Sequence, residues 1–144
     1  MKVLLAAFLC LLAGGAVFGQ APDEGIGEAP RVAKFTLAKK EKNGTITEDP
    51  ERFRTTDVPI ICYVDLTTDK PTEVKLTIVA VKAVGLRPES KLLTVNYKTE
   101  DGENGATFTV RPEGKWAPGL YRAEVYLNGR QSDSVTYTVS DSTP

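Results

Sequence analysis

The chain has 144 residues, 41% apolar and 26% charged, with 18 basic side chains, 19 acidic ones and no histidine. That length fits one hydrophobic core, and the composition excludes disorder throughout. Interspersed, nearly balanced charge leaves no basic stripe for nucleic acid and no polybasic membrane patch. The missing imidazole removes Ser-His-Asp and Cys-His catalysis and the commonest metal ligand.

The N-terminus reads as a secretory signal peptide over residues 1–20. Lys2 precedes the unbroken apolar run 3–12, and small residues follow. Cleavage after Gly19 and after Ala21 fit equally well. The run is shorter than the ~20 apolar residues of a comfortable bilayer span. No other segment is apolar enough, so no membrane insertion is expected once the signal is removed. The product is expected outside the cytoplasm, secreted or periplasmic. Cys10 leaves with the signal, so Cys62 has no internal disulfide partner and stability must come from packing. Residues 21–31, rich in Gly and Pro, read as a flexible linker, 32–140 as the domain, and 141–144 as a tail.

Through the domain the apolar residues recur every second position, the period of half-buried strands. Ala33, Phe35 and Leu37 mark the first strand, and Asn43 with Gly44 suits a tight hairpin because both tolerate positive φ. Residues 47–56 read as a loop anchored by Phe53. Val58, Ile60, Cys62, Val64 and Leu66 share one face of the second strand, with Pro59 near its start. Val74, Leu76, Ile78 and Ala80 point inward on the third, while Val79 and Val81 break the alternation. Leu93, Val95 and Tyr97 mark the next strand, and Phe108 and Val110 a short one. The last hairpin runs from Tyr121, Ala123, Val125 and Leu127 through a turn at Asn128 and Gly129 to Val135, Tyr137 and Val139. The count is about seven strands with no helical period. This predicts an all-β fold, a single Ig-like antiparallel β-sandwich, with a closed barrel as the competitor.

The segment 116–139 (WAPGLYRAEVYLNGRQSDSVTYTV) resembles the last two strands of bacterial secreted Ig-like domains, which are similar to fibronectin type III domains. The order of Phe35, Leu37, Phe53 and Ile60 is similar too. Pro118, Gly119 and Tyr121 resemble the tyrosine corner of those folds, in which a Tyr hydroxyl bonds back to nearby backbone. The cysteine pair of antibody domains is missing, so the resemblance implies architecture, with structural roles for Trp116, Pro118, Gly119, Tyr121, Asn128 and Gly129; strand parity gives Cys62 a structural role as well. The resemblance implies no function, since such sandwiches host many.

No motif carries catalysis, so no enzyme, cofactor or metal is expected. Cys62 falls on the apolar parity of its strand and reads as a buried, inert thiol. Glu100, Asp101, Glu103 and Asn104 hold hard oxygens, but the flanking Gly102 and Gly105 make them an ordinary turn. Asn43-Gly44-Thr45 fits the glycosylation pattern, which matters only in a eukaryotic secretory pathway. If the third strand and the last hairpin share a sheet, Val79, Val81 and Tyr126 form a possible interaction face on its outer side. A bulge near Ala80 would instead send Val81 inward. These features suggest a non-catalytic module for an unknown extracytoplasmic protein partner. The alternative is a carbohydrate- or small-ligand-binding domain using Trp116, Tyr63 or Tyr126.

Overall fold

The computed structural model describes residues 29–50 and 52–141. The signal peptide, residues 21–28 of the linker and 142–144 of the tail lie outside the described residues.

Among the described residues, nine strands occur in chain order: β1 (Val32–Lys40), β2 (Ile46–Glu48), β3 (Phe53–Arg54), β4 (Ile60–Leu66), β5 (Glu73–Ala83), β6 (Ser90–Lys98), β7 (Gly105–Val110), β8 (Gly119–Leu127) and β9 (Arg130–Ser140). They form two sheets, ordered β2-β1-β4-β7 and β3-β9-β8-β5-β6. All pairings are antiparallel except that of β3 with β9, which is parallel. The third predicted strand and the last hairpin do share a sheet, because β5 pairs with β8 from Val74 opposite Leu127 to Ala83 opposite Gly119.

The alternation seen in the sequence becomes the core. Ile60, Cys62, Val64 and Leu66 of β4 face Leu76, Ile78, Tyr121, Ala123 and Val125 from the other sheet in one buried cluster. Each fully buried large apolar side chain contributes roughly 1.5–3 kcal/mol relative to exposure. The predicted loop over residues 47–56 holds two short strands instead. These are too short to carry an alternation, and β3 sets Phe53 fully into the core.

The turns follow the dipeptides with one difference. Asn128 and Gly129 both have positive φ, 49° and 84°, and join Leu127 directly to Arg130 in a two-residue turn. Asn128 also bonds β5, its amide donating to the Glu73 carbonyl at 2.9 Å and its Oδ1 accepting the Glu73 amide at 3.0 Å. At the β1–β2 hairpin only Gly44 takes a positive φ, 91°. There the Gly44 amide donates to the Glu41 carbonyl and the Glu41 amide to the Thr45 carbonyl. This is a turn through Lys42 and Asn43 closed by a left-handed glycine, so Asn43 needs no special backbone.

Aromatic packing closes one end. Tyr121 stacks on Tyr137 at 5.4 Å between ring centroids, and Trp116 meets Tyr121 edge-on at 5.5 Å. Phe53 meets Tyr137 edge-on, also at 5.4 Å. The Tyr121 hydroxyl donates to the Ala117 carbonyl at 2.7 Å, the bond of a tyrosine corner. Gly119 is required beside it, because a Cβ there would lie 2.3 Å from the Lys82 carbonyl oxygen. Pro118 adds a bond across the corner, its carbonyl accepting the Val84 amide at 2.9 Å.

Candidate interaction surface

The face predicted from Val79, Val81 and Tyr126 is not an exposed apolar patch. Val79 is only 2% exposed. Its register neighbours are Lys91 on β6 and Arg122 on β8, and long basic side chains cover apolar surface with their stems. Arg122 is fixed from both sides. Its Nη2 donates to Glu89 Oε2 at 2.7 Å, in the turn beyond β5, and its Nε to Glu124 Oε2 at 3.1 Å on its own strand. The pair with Glu89 therefore spans β5. Tyr126 is half-buried in the same network, donating to Glu124 Oε1 at 3.2 Å with Lys75 Nζ lying 4.3 Å from its ring centroid.

Charge in this network is mutually satisfied. The hydrogen bond from Arg122 holds the Glu89 carboxyl below its ordinary value, and the two carboxylates push the guanidinium further up. Burial, then the charge of Glu124, raises the Tyr126 hydroxyl. A bulge does occur where the sequence suggested one, between Ala80 and Lys82. It leaves Val81 as the extra residue, half-buried and outside the core cluster.

Trp116 is 2% exposed, and its Nε1 donates to the Asp57 carbonyl at 2.9 Å. Cys62 is buried and free, and burial raises its thiol from 9.0 to about 12. In the turn after β6, Glu103 is spent on local bonds, its carboxylate accepting the Tyr97 hydroxyl and the Glu100 amide. Among the described residues, no three His, Cys, Asp or Glu side chains gather as a metal site. Open clefts of about 470 and 920 Å³ lie beside the start of β9 and beside the β1–β2 hairpin.

The surface that sequence reasoning missed is the flank formed by β6 and β7. β6 is the last strand of its sheet, so one edge of its nine residues has no β partner among the described residues. Leu93, Val95 and Tyr97 stand opposite Ile78, Leu76 and Val74, which places them on the core-facing side. The facing sheet stops at β7 and leaves them partly uncovered, with Val95 37% and Tyr97 41% exposed. Leu92, the residue by which β6 bulges against β5, is exposed as well. Apolar side chains on a long unpaired edge are what natural sheets usually avoid. The available signal was negative: the strand shows the right alternation, but nothing in its sequence says whether a second sheet lies over it.

No family model matches the sequence, and no curated protein does. Among solved structures, the chain is similar to an immunoglobulin-like protein from Pseudomonas aeruginosa. The TM-score is 0.53 at 11% identity, covering 80% of this chain and 99% of that one. The fold is thus an Ig-like sandwich. β-Glucosidases from Listeria innocua and Kluyveromyces marxianus also match, with TM-scores of 0.43 and 0.42 and identities of 15% and 17%. Those matches take in 77% and 74% of this chain but only 16% and 14% of the enzymes.

Proposed function

We propose that this chain is an exported, non-catalytic module that binds a protein partner through the open flank at β6. The observation that carries this reading is the nine-residue edge strand whose core-side residues Val95 and Tyr97 are exposed. Such an edge offers unpaired backbone groups for main-chain hydrogen bonds and a row of apolar side chains for selectivity, without any special chemistry. The signal-like N-terminus supports a site of action in the periplasm or beyond the cell. The absence of histidine from the sequence, the buried and protonated thiol of Cys62 and the locally bonded carboxylate of Glu103 support a role without catalysis. Sugar stacking on Trp116 loses its basis, because that ring is buried and its N–H already bonded.

The test is capture of partners from the native extracytoplasmic protein fraction by the immobilised protein. Val95→Asp and a control on the opposite flank, Ile46→Asp, run alongside. Specific capture is expected to be lost with Val95→Asp and kept with Ile46→Asp. Equal capture by all three, or none by the wild type, overturns the reading.

A further inference from the structure

β6 carries a cation near each end of its free edge. Lys91 and Lys98 are exposed, and among the described residues neither forms an ion pair. Glu89, at the Lys91 end, is held by Arg122, and Glu73, opposite Lys98 in register, forms no close ion pair with it among the described residues. Lys91 stands opposite Val79 and Lys98 opposite Glu73, so both project from the outer face, whereas Leu93, Val95 and Tyr97 project from the core side. From Lys91 to Lys98 the strand contains one bulged residue, Leu92. A regular strand laid along the edge therefore covers the same span with one residue fewer.

This pattern selects among occupants. A second copy of β6 fits poorly, because antiparallel self-pairing about the strand centre sets Lys91 against Lys98, and like charges opposite one another are destabilising. The chain's own segment 21–31 fits poorly too. It is acidic, but Ile26 is its only large apolar residue, and Gly and Pro dominate it. What fits is an extended segment with apolar side chains at alternate positions and a carboxylate at each end.

Resting on the interaction-module reading, we infer that β6 accepts an added strand of seven residues in which an acidic residue at each end faces Lys98 and Lys91 and three alternating apolar residues extend the row of Tyr97, Val95 and Leu93. Read as acid–apolar–polar–apolar–polar–apolar–acid, the pattern is the same in either direction along the edge. The apolar residues cover the overhanging side chains, the backbone pairs with the free edge of β6, and the terminal acids set the register.

The probe is a fluorescently labelled peptide with the core Glu-Val-Thr-Val-Thr-Val-Glu and a glycine at each end, titrated into the full chain by anisotropy. A second peptide replaces both Glu residues with Lys, and a third carries N-methyl groups at alternate positions. The first peptide is expected to bind about tenfold more tightly than the Lys peptide, from two charge pairs turned from attraction to repulsion. The double variant Lys91→Glu/Lys98→Glu is expected to reverse that preference, and N-methylation on the paired side to abolish binding. Hydrogen exchange is expected to slow in β6 on binding and to stay unchanged in β2 and β3, which also reports that the variant is folded. Equal binding of the Glu and Lys peptides, no binding at all, or protection away from β6 overturns the inference. If the peptide fails while Val95→Asp still abolishes partner capture, the added strand falls and the interaction module stands. If wild-type capture fails as well, both fall.

Discussion

On one flank of the sandwich the sheets end in β2 and β3, with three and two residues; on the other they end in β7 and β6, with six and nine. The short flank is also the one sealed by side chains. β3 delivers Phe53 to the Tyr137 ring, its neighbour Thr55 accepts the Trp116 amide, and Trp116 reaches the Asp57 carbonyl. The long flank has no such seal over β6, whose core-side Val95 and Tyr97 remain exposed. Short edge strands covered by packed aromatics guard a sheet against unwanted pairing, whereas a long bare edge invites it. The difference separates a flank that is closed by packing from one that is left open.

The largest effect that could break this contrast is the cost of truncation on each side. Phe53→Ala removes a fully buried ring and is expected to cost about 3–5 kcal/mol in chemical denaturation. Val95→Ala, at a partly exposed position, is expected to cost under about 1 kcal/mol. Similar losses at the two positions would show that β6 is packed as firmly as β3 and would end the distinction.

Alkaline pH sharpens it next. Burial raises the Cys62 thiol from 9.0 to about 12 and raises the Tyr137 hydroxyl as well. Between about pH 9 and 12 the unfolded chain has lost the Cys62 proton while the folded chain keeps it. The unfolded state then binds fewer protons, so stability falls as pH rises, by about 1.4 kcal/mol per pH unit for this one group. Below pH 9 the thiol contributes no such dependence. Cys62→Ala is expected to make the slope of unfolding free energy against pH shallower in that window, and an unchanged slope would contradict the inert, protonated thiol. On the open flank, the hydrogen bond to Glu103 is the main cause raising the Tyr97 hydroxyl. Being exposed, that group is expected to ionise without unfolding the protein, as an absorbance titration alongside circular dichroism can show.

The sequence carried the layout of the sandwich further than it carried the site. Alternation located β1 and β4 to β9 because each is long enough to repeat its period, and the Asn128-Gly129 turn followed from backbone chemistry alone. β2 and β3 carried no signal, since two or three residues cannot alternate measurably. Val79 was misjudged for a related reason. Parity places it correctly on the outer face, but parity is blind to Arg122, which is drawn across β5 by Glu89, far from it in sequence. The exposure of Val95 and Tyr97 was hidden in the same way. Which face a side chain takes is local information, whereas what covers that face depends on how many strands the opposite sheet has.

A smaller effect isolates the corner. Tyr121→Phe keeps the stacked ring and removes only the bond to the Ala117 carbonyl, so a loss of about 1 kcal/mol is expected. Trp116 fluorescence is a convenient reporter, since the buried ring should emit in the blue until unfolding. Red-shifted emission from the folded variant would mean that the hydroxyl, rather than ring packing, holds Trp116 in place.

Tyr97→Phe is the matching change on the open flank and the smallest effect expected. The hydroxyl donates to both oxygens of Glu103, at 2.7 and 3.0 Å, which on bond length alone is as good a contact as the one at the corner. Its surroundings differ. Tyr97 is exposed, so water replaces the lost bond at little cost, and the stability change should stay within about 0.5 kcal/mol. The ring survives in the variant, so partner capture through the apolar row should survive with it. Two hydroxyls with similar bond lengths and different stability effects would place the difference in what surrounds them. If Tyr97→Phe instead destabilised the protein as much as Tyr121→Phe does, the flank at β6 would be part of what holds the sandwich together, and its exposed row would no longer be free for a partner.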